Sequence, residues 1–410
     1  MIRSRIHEAY KKNTRYPWVI VALSVLTVFF SGPGQTYFIS GFTEHFIESF
    51  NLSRTTVSVY YSGATLCAGL LLMLIGRQID RWGHRRMTLI IGSLLGVTCF
   101  AMGVLPSAML LILAFFCLRL FGQGSMVLLP STLVPNWFTR KRAMALSLVT
   151  LGGVVGSVVI PPINTYLLSL MPWRRIWFVW GGLLCIIFIP LIYLFLYDKP
   201  ANVEQENAVT TQESDDRDGW TLKETVVSGG FWRMAFSQSI PALVGTGLYF
   251  HLVSIMASKA LGPEVAAMTL SVIGLCSFPA TFIAGMVLEK VKVHHIYGVS
   301  FIIQCIALYV LATTKTMGMI ILYAIMTGAV TGFQNVCRRL IWPEYYGRKH
   351  LSTISGLTMT LLVIGSAIGP MMIGAGYERI GNYEQVTYMM IGLTAIAALF
   401  SIVSPKPKKK

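Results

Sequence analysis

Over 410 residues the chain is 54% hydrophobic and only 12% charged, with a mean hydropathy of +0.65, which is more apolar surface than one water-soluble core can hide. The formal net charge of +16 falls in short loops between apolar runs and no aromatic-basic domain accompanies it, so nucleic acid is excluded as a partner and membrane orientation accounts for the charge. The expected class is an all-α polytopic membrane protein.

In chain order, the first apolar run starts at Trp18 behind a basic segment and outlasts a secretory signal, so it reads as a retained span. The apolar runs divide into twelve spans, near 17–41, 54–76, 87–105, 108–134, 143–170, 175–197, 231–258, 265–288, 295–313, 317–341, 352–376 and 386–404. Arginines and lysines gather before the first span, after each even-numbered span except the sixth, and at the chain end. By the positive-inside rule both termini face the cytoplasm, and the expected location is the cytoplasmic membrane.

Between the second and third spans, GRQIDRWGHRR (Gly76 to Arg86) reads as a short basic turn holding one carboxylate, Asp80. A carboxylate there can pair across the membrane surface in one state and release in another, which makes Gly76, Asp80, Arg81 and Arg85 candidate gating residues. The hydrophobic rhythm breaks at 198–230, an acidic linker that divides the chain into six-span bundles at 1–197 and 231–410. Internal similarity supports the halves: PNWFTRKR at Pro135 aligns with PEYYGRKH at Pro343, and GRQIDRWGHRR aligns with GMVLEKVKVHH at Gly285. The second alignment pairs Asp80 with Glu289 and Arg81 with Lys290, adding both to the gating set.

Ionisable side chains inside a bilayer are costly and mark function, so their census matters. No carboxylate lies near the middle of a span. Arg119, in CLRLFGQGS, falls near the middle of the fourth, and His251, in GLYFHLVSI, lies in the seventh. The first is a candidate anion or coupling contact with helix bonding as the alternative; the second could bind an anion, pass a proton, or be a satisfied buried histidine. FFSGPGQTYF should kink or unwind at Pro33, because proline cannot donate its backbone bond, which puts Gln35 and Tyr37 on a cavity wall. Tyr249 takes the equivalent place in the second half, and Gln123, Gln334 and Asn335 are further polar candidates for substrate. The arginines that follow, Arg338 and Arg339, read as snorkelling to lipid phosphate, and the glycine runs at 152–157 and 365–376 as helix-packing surfaces.

Gly76, Asp80, Arg81, Gly83, Arg85 and Arg86 together resemble the loop between the second and third helices of major facilitator superfamily transporters, and the resemblance extends over nearly the whole chain. WFTRKRAMALSLVTLGGVVGS, starting at Trp137, is similar to the fifth-helix region of the monocarboxylate transporter and oxalate/formate antiporter groups. The resemblance implies two pseudo-symmetric six-helix bundles and transport by alternating access. The substrate it implies is a small organic anion of the monocarboxylate kind, with a proton as candidate coupling ion. The alternatives are an exporter of amphipathic or cationic compounds, whose cavity should hold an acid, and a non-transporting receptor or scaffold. An enzyme is not expected, since no nucleophile and base pair, metal cluster or phosphate loop is present. The seven cysteines are scattered singly, so neither a metal site nor any cofactor is expected.

Overall fold

A computed structural model describes residues 16–138, 142–197, 220–347 and 351–407. The described residues are helical, joined by short turns, because within a bilayer a helix satisfies its backbone hydrogen bonds internally. Ten of the helices are individually long and apolar enough to cross a membrane, and an eleventh crossing is the pair Gly229–Phe250 and Leu252–Ser258, bent by 60° at His251. The first expected span is broken. Tyr16–Phe30 is too short to cross, and the chain continues through a 3₁₀ turn at Gly32–Gly34 into Thr36–Ile39 and Thr43–Phe50. The break falls at Pro33, as its missing donor requires.

By their contacts the described residues form two compact units. The first holds the residues up to Ile39 and those from Cys67 to Tyr197; the second holds Ser40–Leu66 and those from Trp220 onward.

In the first unit, Tyr16–Phe30 packs against Arg142–Leu170 at Gly152, where a Cβ would lie 2.1 Å from the Val25 carbonyl oxygen. Tyr16 staples the two ends of this unit's chain: its hydroxyl donates to the Phe195 carbonyl and accepts from the Tyr197 N–H, both at 2.9 Å. Asn164 joins helices, accepting from the Trp180 indole at 2.9 Å, and Phe38 packs against Trp177 and Trp180.

In the second unit, Gly229–Phe250 lies against Leu351–Ile380, with a Cβ at Gly369 falling 2.1 Å from the Leu243 carbonyl oxygen. Both glycine runs are therefore packing surfaces, where small residues let backbones touch. The buried Gln238 accepts from the Trp342 indole at 2.6 Å. Trp342→Phe strands that amide oxygen and leaves part of the buried indole's volume unfilled, so it should lower the stability of the purified protein by about 2–3 kcal/mol, read as a fall in thermal midpoint. An unchanged midpoint would remove this bond from the account.

Candidate functional site

The Gly76–Arg86 stretch is more helical than its composition suggests. Arg54–Trp82 runs through Gly76 and Asp80, the next helix begins at His84, and the turn is the single residue Gly83 at φ +80. That backbone conformation favours glycine, which explains the residue there. The Asp80 side chain lies outside the described residues. Arg81 is exposed, whereas Arg85 is held: it donates to the Tyr193 carbonyl at 2.8 Å and lies over the Tyr193 and Tyr197 rings at 5.2 and 5.7 Å. A Cβ on Gly76 would meet nothing within 4 Å. Glu289 and Lys290 are exposed in the longer turn of the second copy. The expected acidic linker from Ala201 to Asp218 is outside the described residues.

Four of the candidate residues gather in the first unit around the break at Gly32–Gly34. Leu118–Ser125 is a π-helical stretch, a wider turn that recurs at functional sites. From it, Arg119, 3% exposed, donates to the Gly34 carbonyl at 3.1 Å and reaches Thr36 Oγ1 at 3.5 Å. The guanidinium thus takes up a backbone carbonyl at the break in the helix. Backbone also meets backbone here, since a Cβ on Gly34 would lie 2.2 Å from the Leu118 oxygen and 2.7 Å from the Gln123 nitrogen. Gln35 donates to Ser31 Oγ at 2.9 Å, and both Gln35 and Gln123 are half-buried. Tyr37 points its hydroxyl at Gly156, where a Cβ would be 2.7 Å from it.

Three more gather in the second unit. Tyr249, Gln334 and Asn335 line a cavity of about 170 Å³ between Gly229–Phe250, Val293–Thr313, Met317–Tyr346 and Tyr383–Ile402. Arg338, expected to reach lipid phosphate, lines the same cavity and donates to Asn335 Oδ1 at 2.9 Å; Arg339 beside it is exposed. Among the described residues the carboxylate bridge is Glu44 to Arg54, so none reaches Arg338, and none of the residues lining the cavity is acidic. The side-chain nitrogen of Gln334, 7% exposed, has no hydrogen-bond partner. The signal for Arg338 was helical spacing: it stands four residues beyond Gln334, on the same face.

His251 is not in that cavity. Fully buried at the 60° bend, its Nε2 lies 3.0 Å from the Pro370 carbonyl oxygen and 3.1 Å from Ser58 Oγ. A carbonyl only accepts and the Ser58 hydroxyl already donates to the Arg54 carbonyl at 2.8 Å, so Nε2 carries the proton and donates. One turn before Ser58, Arg54 forms a two-pronged pair with Glu44, Nη2 to Oε2 at 2.9 Å and Nη1 to Oε1, and Ser254 joins both partners. The Thr55 N–H donates to Glu378 at 2.9 Å. These contacts hold Ser40–Leu66 in the second unit. A second cavity in this unit, of about 310 Å³, is lined by Lys259, Lys315, Asn382 and Glu384. Lys259 donates to the Ala312 and Thr314 carbonyls at 2.9 Å each, burial pushes its amine below the usual lysine range, and Glu384 accepts from Tyr388.

The family model described as Major Facilitator Superfamily matches residues 24–262 and 234–410, nearly the whole chain. The chain belongs to the major facilitator superfamily. No curated protein matches it in sequence. Among solved structures, a bacterial homologue of the human lysosomal transporter Spinster, inward-facing and occupied, is 16% identical with a TM-score of 0.73, over 96% of this chain and 97% of that one. A mutant of the nucleoside transporter NupG is 13% identical with a TM-score of 0.75, over 94% and 99%. At such identities the likeness is one of fold. Members of the superfamily are transporters rather than enzymes, and this member is a multi-pass membrane protein of that fold.

Proposed function

We propose that this superfamily member is a secondary transporter that moves a small organic anion of the monocarboxylate class by alternating access, with a proton as its coupling ion. The observation that supports this reading is Arg338, a guanidinium on the wall of a cavity with no acid in its lining and no carboxylate partner among the described residues. A charge withdrawn from water seeks a counter-charge, and here a substrate carboxylate would supply it. Gln334 and Asn335 would take the remaining acceptor capacity. An exporter of cations would want an acid in the same place.

In this reading Arg119 and His251, each bonded to a backbone carbonyl, shape the broken helices rather than hold the anion. The basic loops argue for the cytoplasmic membrane with both termini inside, and for bundles at 1–197 and 231–410 joined by the linker. The latch at Gly76, Asp80, Arg81 and Arg85, with Glu289 and Lys290 as its weaker copy, belongs to the same proposal.

Uptake by proteoliposomes decides the matter. Arg338→Gln, which removes the charge and keeps a donor, should reduce uptake of labelled small carboxylates by about tenfold or more, as expected for loss of a charge-assisted bond. Arg338→Lys should retain part of it. If the glutamine variant carried carboxylates at the full rate, or the unaltered protein carried only cations, the reading would be wrong.

A further inference from the structure

The geometry points to a substrate with a ring. We propose that the second unit's cavity takes a monocyclic aromatic carboxylate, its acid on Arg338 and its ring among the aromatic side chains beyond. The inference rests on the organic-anion reading and sharpens it.

Three observations carry it. The first is size: the cavity is about 170 Å³, and a cavity of ~150 Å³ is enough for benzene. A two- or three-carbon acid would leave most of that space to water. The second is the character of the walls. Tyr249, Tyr297, Phe301 and Tyr323 all face the cavity, with the Tyr297 and Phe301 rings 4.7 Å apart between centroids. Rings receive another ring edge-on or offset, so a flat guest packs against this wall of the cavity where a branched aliphatic one does not.

The third is the separation of charge from ring. Tyr323, Thr327, Gln334 and Arg338 lie on one face of Met317–Tyr346, spaced by four, seven and four residues. Arg338, Asn335 and Gln334 cluster at one end. Thr327 stands about three turns earlier and Tyr323 about one turn beyond that. Fifteen residues of helix put Tyr323 roughly 22 Å along the axis from Arg338, beyond the reach of a one-ring acid, so the rings that such a guest meets from Arg338 are those of Tyr297 and Phe301. The Gln334 amide nitrogen, buried and without a partner, offers a second donor to the carboxylate.

The test is binding to the full-length protein purified in detergent, by titration calorimetry, with benzoate, propionate and benzamide as probes. Benzoate should bind about tenfold or more tightly than propionate, because the ring adds buried apolar area. Benzamide, which keeps the ring and loses the charge, should bind about tenfold or more weakly than benzoate. Tyr249→Leu should weaken benzoate by about threefold to tenfold, the range expected for one aromatic contact, and weaken propionate by less. The comparison of probes on the unaltered protein needs no variant, so a Tyr249→Leu that fails to fold does not rescue the proposal. Propionate binding as tightly as benzoate, with both lost in Arg338→Gln, would overturn the ring and leave the anion reading standing. Benzamide equal to benzoate, or no binding by either acid, would overturn both.

Discussion

Gly34→Ala should yield a protein that is destabilised by about 3 kcal/mol and has little or no uptake, the upper end of what overpacking costs. The reason is what the added methyl meets. The nearest atoms are the Leu118 carbonyl oxygen at 2.2 Å and the Gln123 nitrogen and Gly122 Cα at 2.7 Å, all backbone, so no side chain can turn aside. The broken first helix and the π-helical stretch would have to part. The bond from Arg119 to the Gly34 carbonyl, 3.1 Å long, would go with them. Thermal midpoint in detergent and uptake in proteoliposomes are the readouts. Gly63→Ala is the control, since a Cβ there has nothing within 4 Å and the residue lies inside a helix, where alanine is the better former. Were Gly34→Ala as stable and active as the control, the close approach described here would be wrong.

The second large effect is expected at Glu44. Its pair with Arg54 is neither surface nor core, the two side chains being 27% and 25% exposed. Exposed pairs contribute less than about 1 kcal/mol, and removing one partner of a buried pair costs about 3–5 kcal/mol. For Glu44→Ala we therefore expect a loss of about 2 kcal/mol, most of it the penalty of leaving the Arg54 guanidinium without a counter-charge. The double variant Glu44→Ala with Arg54→Met should recover at least half, which a simple loss of contact would not do. Hydrogen exchange gives a local readout: amides of Ser40–Leu66 should open faster in the single variant, because that segment is tied to the second unit through these residues. Unchanged exchange would mean that other contacts hold the segment.

Much of the fold was legible because membrane spans announce themselves by length and hydropathy, and Pro33 announced the break in the first of them. The seventh span was harder. Pro241 sits inside a continuous helix, and the bend comes ten residues later at His251, where the chain gives no proline to mark it. The site was legible by residue type and not by direction. Tyr249, Gln334 and Asn335 could be named from polarity alone, yet whether Arg338 points to lipid or to a cavity depends on which face of its helix the neighbours cover, and that is a tertiary fact. Arg119 shows the converse. Its depth in the span was readable, but its engagement with the Gly34 carbonyl required two segments 85 residues apart to be seen together. The Glu44 and Arg54 pair escaped because each residue, taken singly, looked like an ordinary loop or helix-end charge.

The wide turn at Leu118–Ser125 has a consequence for how this span tolerates changes in length. In a regular helix, losing one residue swings everything beyond it by about 100° about the axis, turning lipid-facing side chains inward. A π-helical turn already spends more residues than an α-helical turn would need. Deleting one residue within Leu118–Ser125 can be absorbed by tightening that turn, so Met126–Trp137 keeps its faces in register. Tolerance to insertion and deletion is usually a property of surface loops. Here it lies in the middle of a membrane span.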